Sequence, residues 1–332
     1  MHIQIAIRIV GILLMMFSLT MLPPVFVSLI YQDGVTGIFT KAFVITFVAG
    51  FFLWLMFVRN QADMRIKDGF LVTVLFYIAL GAFGALPFID EHGLGLSIPD
   101  ALFESFSGLT TTGATVIVGL DELPKSILYY RQQLQWLGGM GIIVLAVAIL
   151  PMLGIGGMQL YRAETPGPVK DSKLTPRIKE TAVALWSIYL GLTVVCAIAY
   201  WGAGMSGFDA ICHSFSTIAI GGFSTHDASI GYFDSWVIEA IAIFFMVLAG
   251  MNFSLHFFSF KERSIRHYFR DDEVKFYLSI LFIAVVAVTG VLWYEQTHTF
   301  GQAIRFGLFE VVSIFTTTGF STTDFAAWPN ML

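Results

Sequence analysis

One short stretch of the sequence decides its fold: Thr110-Thr111-Thr112-Gly113-Ala114-Thr115. Related stretches occur twice more, as Ala219-Ile220-Gly221-Gly222-Phe223-Ser224 and as Thr316-Thr317-Thr318-Gly319-Phe320-Ser321. Each has a glycine at its fourth position, and these glycines lie 109 and 97 residues apart. Self-similarity at a nearly constant spacing indicates an internal repeat, so the chain contains three related units.

The similarity extends upstream of the first two glycines. Five of eight residues are identical between Asp100-Ala101-Leu102-Phe103-Glu104-Ser105-Phe106-Ser107 and Asp209-Ala210-Ile211-Cys212-His213-Ser214-Phe215-Ser216. Each octet begins 13 residues before its glycine. We predict that each octet belongs to a half-helix of about ten residues, with Asp100 or Asp209 as the N-cap whose oxygen satisfies free amides.

The composition places these units in a membrane. Apolar residues make up 57% of the 332 residues and charged residues only 12%, whereas soluble domains have roughly 45–50% and about 25%. The net charge of −5 argues against a nucleic-acid-binding protein, which neutralises phosphates with lysine and arginine.

Seven stretches without Asp, Glu, Lys or Arg are candidate membrane helices. They are Ile9–Ile30, Ala42–Val58, Gly69–Ile89, Leu134–Leu160, Thr181–Gly207, Ala240–Phe260 and Phe276–Tyr294. Proline lacks a backbone N–H and restricts φ, so we expect the first helix to be broken or kinked near Pro23-Pro24.

Basic residues are concentrated in three connections between these stretches. They are Arg59, Arg65 and Lys67; then Arg162, Lys170, Lys173, Arg177 and Lys179; then Lys261, Arg263, Arg266, Arg270 and Lys275. Lysine and arginine are enriched on the cytoplasmic side of membrane proteins. We therefore expect the amino terminus and the basic connections to lie in the cytoplasm, and the glycine loops to open on the outer side.

These patterns divide the chain into four units. We predict an N-terminal two-helix hairpin over residues 1–67, a first pore repeat over 68–175, a second over 176–272 and an incomplete third over 273–332. The predicted fold is an all-α polytopic membrane protein, in which hairpins of helix, re-entrant pore loop and helix surround a central pore. Because three loops would leave carbonyls exposed, we expect the natural polypeptide to continue for about five helical segments, or this chain to be the ordered part of a longer one.

Loops with non-helical backbone inside a membrane have a chemical use. They are tolerated only where protein or water surrounds them, because an unpaired carbonyl in lipid costs several kcal/mol. Loops that meet on one axis can bind a dehydrated cation with these carbonyls, and the negative C-terminal ends of half-helices favour cations there. A single Thr-Thr-Thr-Gly could be a helix end with a C-cap glycine, but three copies in equivalent places favour a pore.

Other residues could support the loops or act in catalysis. Glu104 and Glu310 share a register that His213 occupies in the second copy. We expect the glutamates to bind loop backbone, since no nucleophile or paired carboxylate accompanies them for acid–base chemistry. Asp227 and Asp324 follow their glycines by five residues and could attract cations or cap solvated loops. A membrane-embedded redox enzyme that uses the histidines and glutamates is the alternative to a transporter.

Several motifs together resemble the Trk/Ktr/HKT superfamily of potassium transporters. The resemblance is carried by Phe106-Ser107-Gly108-Leu109-Thr110-Thr111-Thr112-Gly113-Ala114-Thr115, Gln135-Trp136-Leu137-Gly138-Gly139-Met140-Gly141, Ile220-Gly221-Gly222-Phe223-Ser224-Thr225, Ala249-Gly250-Met251-Asn252-Phe253 and Thr317-Thr318-Gly319-Phe320-Ser321. The two additional amino-terminal spans make the chain most similar to the TrkH group of bacterial Trk-type potassium uptake subunits. The resemblance covers the whole chain.

The resemblance implies four potassium-channel-like hairpins and inward passage of K⁺ across the inner (plasma) membrane through a selectivity filter. It implies that the filter residues are Thr110, Thr111, Thr112 and Gly113, then Ile220, Gly221 and Gly222, then Thr317, Thr318 and Gly319. Plant relatives that transport sodium have a serine at the first filter glycine, so Gly113 favours potassium. A Na⁺/K⁺ transporter of the same superfamily is the alternative.

The resemblance also implies partners. Family members usually form homodimers with one pore per subunit, and a TrkA-like cytoplasmic nucleotide-binding ring gates them. We therefore expect K⁺ as the transported ion, no organic cofactor in this chain, and nucleotide on that separate regulatory subunit. The gating loop and the fourth filter loop are expected beyond Leu332.

Overall fold

The computed structural model of this protein describes residues 3–58, 66–141, 178–324 and 328–329, and the regular structure in these ranges is helical. The predicted all-α class is confirmed for these residues. In chain order the α-helices are α1 (Ile3–Ser18), α2 (Leu22–Tyr31), α3 (Thr36–Met56), α4 (Ile66–Gly84), α5 (Leu86–Ile89), α6 (Ile98–Leu109), α7 (Lys125–Gly139), α8 (Ile178–Gly202), α9 (Gly207–Ile218), α10 (Trp236–Ala249), α11 (Phe253–Lys261), α12 (Arg266–Arg270), α13 (Asp272–Tyr294) and α14 (Phe300–Phe315).

Five helical segments of the described ranges are long and apolar enough to cross a membrane. They are Ile3–Tyr31, Thr36–Met56, Leu71–Ile89, Val183–Gly202 and Asp272–Tyr294. These segments correspond to the first, second, third, fifth and seventh charge-free stretches. A 3₁₀ turn at Leu19–Met21 interrupts the first of them, so the predicted break near Pro23-Pro24 is confirmed.

Several helices begin before the predicted charge-free stretches and contain charged residues, of which Lys41 and Arg131 are two examples. Lys41 belongs to α3 and Arg131 to α7, so the predicted starts at Ala42 and Leu134 are wrong. Each charge has a carboxylate partner: Lys41 Nζ lies 2.6 Å from Asp90, and Arg131 Nε lies 2.8 Å from Glu104. Pairing offsets part of the cost of a charge in apolar surroundings, which allows both helices to start earlier.

The predicted span Ala240–Phe260 is wrong as a single helix. α10 ends at Ala249, and α11 begins only at Phe253. Gly250 and Asn252 lie between them, and both residue types have low helix propensity. The 14-residue α10 is therefore shorter than the spans above.

The fourth predicted span, Leu134–Leu160, shows a comparable break. α7 ends at Gly139, and Gly141 then has a φ of +68°, a left-handed conformation that terminates helices. The rest of that predicted span, from residue 142, lies outside the described residues.

Two buried apolar clusters hold the helices together. One joins α1, α3 and α4 with α6 and α7, and the other joins α8, α9 and α10 with α13 and α14. Large apolar side chains on the outer helix faces remain exposed, for example Phe52 in α3 and Phe282 in α13. This distribution suits helices that pack on each other on one side and face lipid on the other.

The same order of elements occurs three times along the chain. The long helices α4, α8 and α13 are each followed by a shorter helix, which is α6, α9 or α14. The shorter helices end at Leu109, Ile218 and Phe315, in each case four residues before a motif glycine. The three repeated stretches, here called the first, second and third motif segments, therefore occupy equivalent places after the short helices. They are Thr110–Thr115, Ala219–Ser224 and Thr316–Ser321.

The first two short helices begin at serines. Ser97 and Ser206 are the N-caps of α6 and α9, and they accept the N–H groups of Asp100 and Asp209. The prediction that Asp100 and Asp209 are the N-caps is therefore wrong. Both aspartates lie in the first helical turn, where their carboxylates accept the serine hydroxyls at 2.6 and 2.7 Å, an arrangement related to the capping box.

Candidate functional site

The three motif segments share one backbone conformation. The glycines have positive φ: +76° at Gly113, +79° at Gly222 and +82° at Gly319. The residues two positions earlier also have positive φ: +54° at Thr111, +48° at Ile220 and +61° at Thr317. Because positive φ is rare for β-branched residues, the segments hold a repeated, strained conformation, of the kind that persists only where surrounding structure enforces it.

The three segments meet at their backbones. A Cβ on Gly113 would overlap the carbonyl oxygen of Gly221 and would lie 3.5 Å from the carbonyl oxygen of Thr318. A Cβ on Gly222 would overlap the carbonyl oxygen of Thr318. The equivalent position on Gly319 has no atom within 4 Å in the described part of the chain. Only glycine fits at Gly113 and Gly222. At Gly113 the first segment packs against Gly221 of the second, and at Gly222 the second segment packs against Thr318 of the third.

Hydrogen bonds between threonine hydroxyls link residues within the first segment and within the third. Thr110 Oγ1 lies 2.8 Å from Thr112 Oγ1, and Thr316 Oγ1 lies 2.8 Å from Thr318 Oγ1. Thr110 and Thr316 also donate to helix carbonyls four residues earlier, at 2.7 and 2.8 Å. These side chains therefore bond within their own segment.

Serines six residues before the glycines make a second internal contact. Ser107 Oγ donates to the carbonyl of Ala114 at 2.6 Å, and Ser313 Oγ donates to the carbonyl of Phe320 at 2.6 Å. Each bond ties the last turns of a short helix to the residue that follows the glycine. The first and third segments are thus stabilised by the same set of internal hydrogen bonds.

The second segment is stabilised differently. Ala219 and Gly221 stand where the threonine pairs would be, and Ser216 Oγ has no hydrogen-bond partner among the described residues. Gln135 of α7 contacts the segment instead. Its Nε2 donates to the carbonyl of Gly221 at 2.5 Å, and its Oε1 accepts the N–H of Phe223 at 3.0 Å.

Glu104, His213 and Glu310 are buried and contact the chain just beyond the glycines. Glu104 and Glu310 each accept a backbone N–H three residues after the glycine, at 3.2 and 2.7 Å. His213 Nε2 lies 2.9 Å from the hydroxyl of Ser224, two residues after Gly222. The shared sequence register of these side chains therefore corresponds to a shared type of contact.

Arg131 joins the first and second segments. It is fully buried, and besides its ion pair with Glu104 it donates from Nη2 to the hydroxyl of Thr115 at 3.0 Å. Its Nη1 donates to the carbonyl of Ser224 at 3.2 Å, and its guanidinium lies 4.3 Å from the ring centre of Phe223. The buried guanidinium is therefore paired with a carboxylate and hydrogen-bonded to both the first and the second segment. A buried ion pair needs such additional hydrogen bonds to offset the loss of water.

A second cluster lies where the chain leaves the second segment. His226 Nδ1 forms an ion pair with Asp121, which belongs to the loop of the first repeat. His226 Nε2 lies 3.5 Å from Asp209 Oδ1, at the start of α9. The imidazole therefore connects the loop of one repeat to the short helix of the next.

The carboxylates set the charge of this cluster. Burial lowers the pKa of His226, but hydrogen bonds and the negative charges of Asp209 and Asp121 outweigh burial and raise this pKa above its ordinary value. The pKa of Asp121 is lowered, chiefly by its hydrogen bond to His226. The cluster therefore favours an imidazolium between two carboxylates.

Asp227 and Asp324 are both exposed. Asp227 Oδ1 accepts the N–H of Gly119 at 3.0 Å. Asp227 thus makes a contact between the loops of the first and second repeats, which adds to the contact that His226 makes with Asp121.

Arg131 and Gln135 are not among the site residues predicted from the sequence. A signal is nevertheless present, because Arg131-Gln132-Gln133 and Gln135 are polar residues in the helix that leads to the Gly138-Gly139 motif. Residues four apart share one face of a helix, and an ionisable residue in a membrane segment indicates a buried partner. The partners themselves are 16 to 93 residues away, a separation that no local pattern reveals.

The described residues contain no group of three or more His, Cys, Asp or Glu side chains arranged to hold a metal ion. Oxygen ligands at the meeting point of the three segments would come from backbone carbonyls, such as those of Gly221 and Thr318.

Comparison with known proteins gives consistent matches. Residues 36–332 match the family described as TrkH, cation transport protein. The chain is 56% identical over 332 residues to the Trk system potassium uptake protein TrkH of Halomonas elongata, covering 100% of this chain and 69% of that protein. It is 54% identical over 333 residues to the protein of the same name from Escherichia coli, with the same coverage. A crystal structure of the potassium transporter TrkH from Vibrio parahaemolyticus matches with a TM-score of 0.87 and 51% identity, over 99% of this chain and 68% of that chain.

Proposed function

Because this chain belongs to the TrkH family of cation transport proteins, we propose that it takes up K⁺ across the membrane through a passage lined by its three motif segments. The matches confirm the resemblance seen in the sequence. They also confirm that the family is one of transporters rather than of enzymes. The relatives that match are named as potassium uptake proteins of the Trk system, which supports potassium as the transported ion.

The observation that carries the proposal is the convergence of the segments. The backbones at Gly113, Gly222 and Thr318 approach so closely that side chains are excluded from the contact. Such a site presents carbonyl oxygens in place of the hydration shell of an ion, which is how carbonyl filters accept K⁺. The proposed K⁺ ligands are backbone oxygens of Thr110–Gly113, Ile220–Gly222 and Thr317–Gly319.

The short helices supply an electrostatic contribution. α6, α9 and α14 end four residues before the glycines, and a helix C-terminus carries about half a negative charge. Three such ends near one axis favour a cation over an anion. Glu104 and Glu310 contribute by supporting the loop backbone rather than by contacting the ion.

The proposed assembly follows from family membership. The units 1–67, 68–175, 176–272 and 273–332 would be a two-helix hairpin and three pore repeats, in an inner membrane with the amino terminus in the cytoplasm. We propose a homodimer and a TrkA-like cytoplasmic ring that binds nucleotide. Relatives named as parts of a Trk system support a transporter that works with other subunits.

The test is ion flux in liposomes that contain the purified natural polypeptide. With an inward K⁺ gradient, ⁸⁶Rb⁺ should enter vesicles that contain the protein and not empty vesicles, and unlabelled K⁺ should compete better than Na⁺. In cells that lack their own potassium uptake, expression should restore growth at low K⁺. Equal competition by Na⁺ and K⁺ would indicate a Na⁺/K⁺ transporter, and absence of flux together with absence of growth rescue would contradict the proposal.

A further inference from the structure

The second motif segment lacks the side-chain hydrogen bonds that close the other two. Ala219 and Gly221 have no hydroxyl groups, whereas Thr110 and Thr112 bond to each other at 2.8 Å in the first segment. Ser216 Oγ is buried without a partner in the described part of the chain. Yet the second segment has the same positive φ values as the others, so another contact must enforce its conformation.

That contact comes from the preceding repeat. The amide of Gln135 bonds to the segment on both sides of Gly222, through the carbonyl of Gly221 and the N–H of Phe223. Gln135 is fully buried, so these bonds do not compete with water. Arg131, one helical turn earlier, binds the carbonyl of Ser224 and lies over the Phe223 ring. The two side chains together contact three residues of the segment: Gly221, Phe223 and Ser224.

On the basis of the proposed function, we infer that Gln135 is a positioning residue for the second filter segment, and that it replaces the internal threonine and serine bonds of the other two. Helix α7 of the first repeat then determines the backbone geometry of the filter segment in the second repeat. The corresponding residue of α10 is Met246, four residues before Gly250 as Gln135 is four residues before Gly139. Methionine offers no amide, and the third segment does not need one because it has its own threonine pair.

The first experiment compares two buried glutamines of α7. Gln135→Met introduces the residue that the second repeat uses in this register. Gln132→Met is the matched control, because the Gln132 amide is buried and has no hydrogen-bond partner among the described residues. The K⁺ over Na⁺ uptake ratio should fall about tenfold in Gln135→Met, a loss of about 1.4 kcal/mol of discrimination between the two ions. The control should keep the ratio of the parent.

The second experiment uses Gln135→Glu and separates positioning from folding. A protonated glutamate can donate to the carbonyl of Gly221 as the amide does, whereas a carboxylate cannot. The K⁺ over Na⁺ ratio of Gln135→Glu should therefore improve as pH falls, while that of Gln135→Met stays low at every pH. Thermal unfolding and gel filtration of each variant confirm that the folded protein is compared.

The outcomes distinguish this inference from the proposed function. A parent protein without K⁺ flux would contradict the proposed function. A selective parent whose ratio is unchanged in both Gln135 variants would overturn the positioning role alone. Equal losses in Gln135→Met and Gln132→Met would also overturn it, since the loss would then follow from any change in the packing of α7.

Discussion

Arg131 Nε lies 2.8 Å from Glu104 Oε1, and the exposed fractions of the two side chains are 1% and 0%. The two residues belong to α7 and α6 of the same repeat, but Arg131 also reaches the carbonyl of Ser224 in the next repeat. A buried ion pair of this kind is costly to break from one side, because the remaining charge then has no partner away from water.

Removing one member of this pair should destabilise the protein strongly. Arg131→Met leaves the Glu104 carboxylate buried beside the first segment, at a cost of about 3–5 kcal/mol. Replacing both residues, as Glu104→Gln with Arg131→Met, should cost less than the sum of the single changes. Thermal unfolding in detergent measures this coupling, and strictly additive losses would show that the two charges do not depend on each other.

Gly113→Ser should abolish discrimination between K⁺ and Na⁺, because its Cβ would overlap the carbonyl oxygen of Gly221 and displace the second segment. Gly119→Ser is the matched control. Gly119 also has a positive φ, of +74°, but a Cβ there meets nothing within 4 Å, so the control reports only backbone strain of about 1–2 kcal/mol. Competition of Na⁺ and K⁺ for ⁸⁶Rb⁺ uptake is the measurement. An unchanged ratio in Gly113→Ser would exclude Gly113 from the filter.

The His226 cluster should make stability depend on pH. Folding raises the pKa of His226, so its contribution is complete below the ordinary value of 6.5 and is lost as pH rises through the raised pKa. Folding lowers the pKa of Asp121, so that contribution is present above 3.8 and is lost as pH falls through the lowered pKa. The unfolding temperature should therefore fall on the alkaline side.

The variant His226→Gln should remove the alkaline part of this dependence. His92→Gln is a suitable control, since the His92 side chain is 87% exposed and exposed pairs contribute little. The measurement is the unfolding temperature of the parent, His226→Gln and His92→Gln between about pH 6 and about pH 9. If the parent and His226→Gln lose stability in parallel over this range, another group is responsible.

Cysteine labelling should test the orientation of the chain. Ser264 lies in the basic connection between α11 and α12, which we place in the cytoplasm, and Glu122 lies in the loop before α7, which we place outside. An impermeant thiol reagent added to intact cells should label Glu122→Cys and not Ser264→Cys. Both native cysteines, Cys196 and Cys212, are buried, so the background should be low. The reverse pattern would invert the topology and place the filter loops on the wrong side.

Local patterns located most of the membrane helices of this protein but not all of their ends, and not every separation between neighbouring helices. The charge-free stretches located the membrane segments, yet they misplaced the starts of α3 and α7, because Lys41 and Arg131 are neutralised by distant carboxylates. The same criterion merged α10 and α11, since it counts charge and does not register the low helix propensity of Gly250 and Asn252. The predicted N-cap aspartates are wrong because the serine three residues earlier has that role in each short helix.

The sequence by itself determined that the chain is helical, that it belongs in a membrane, and that three glycines recur in equivalent places, because these features depend on composition and on residues close together in the chain. Only the tertiary structure decided how the segments meet and what holds each one. The contacts between Gly113 and Gly221, and between Gln135 and Phe223, join residues about 90 to 110 positions apart. Their hydrogen bonds and steric exclusions exist only after the helices have packed, so no local sequence pattern could predict that the second segment is held by its neighbour.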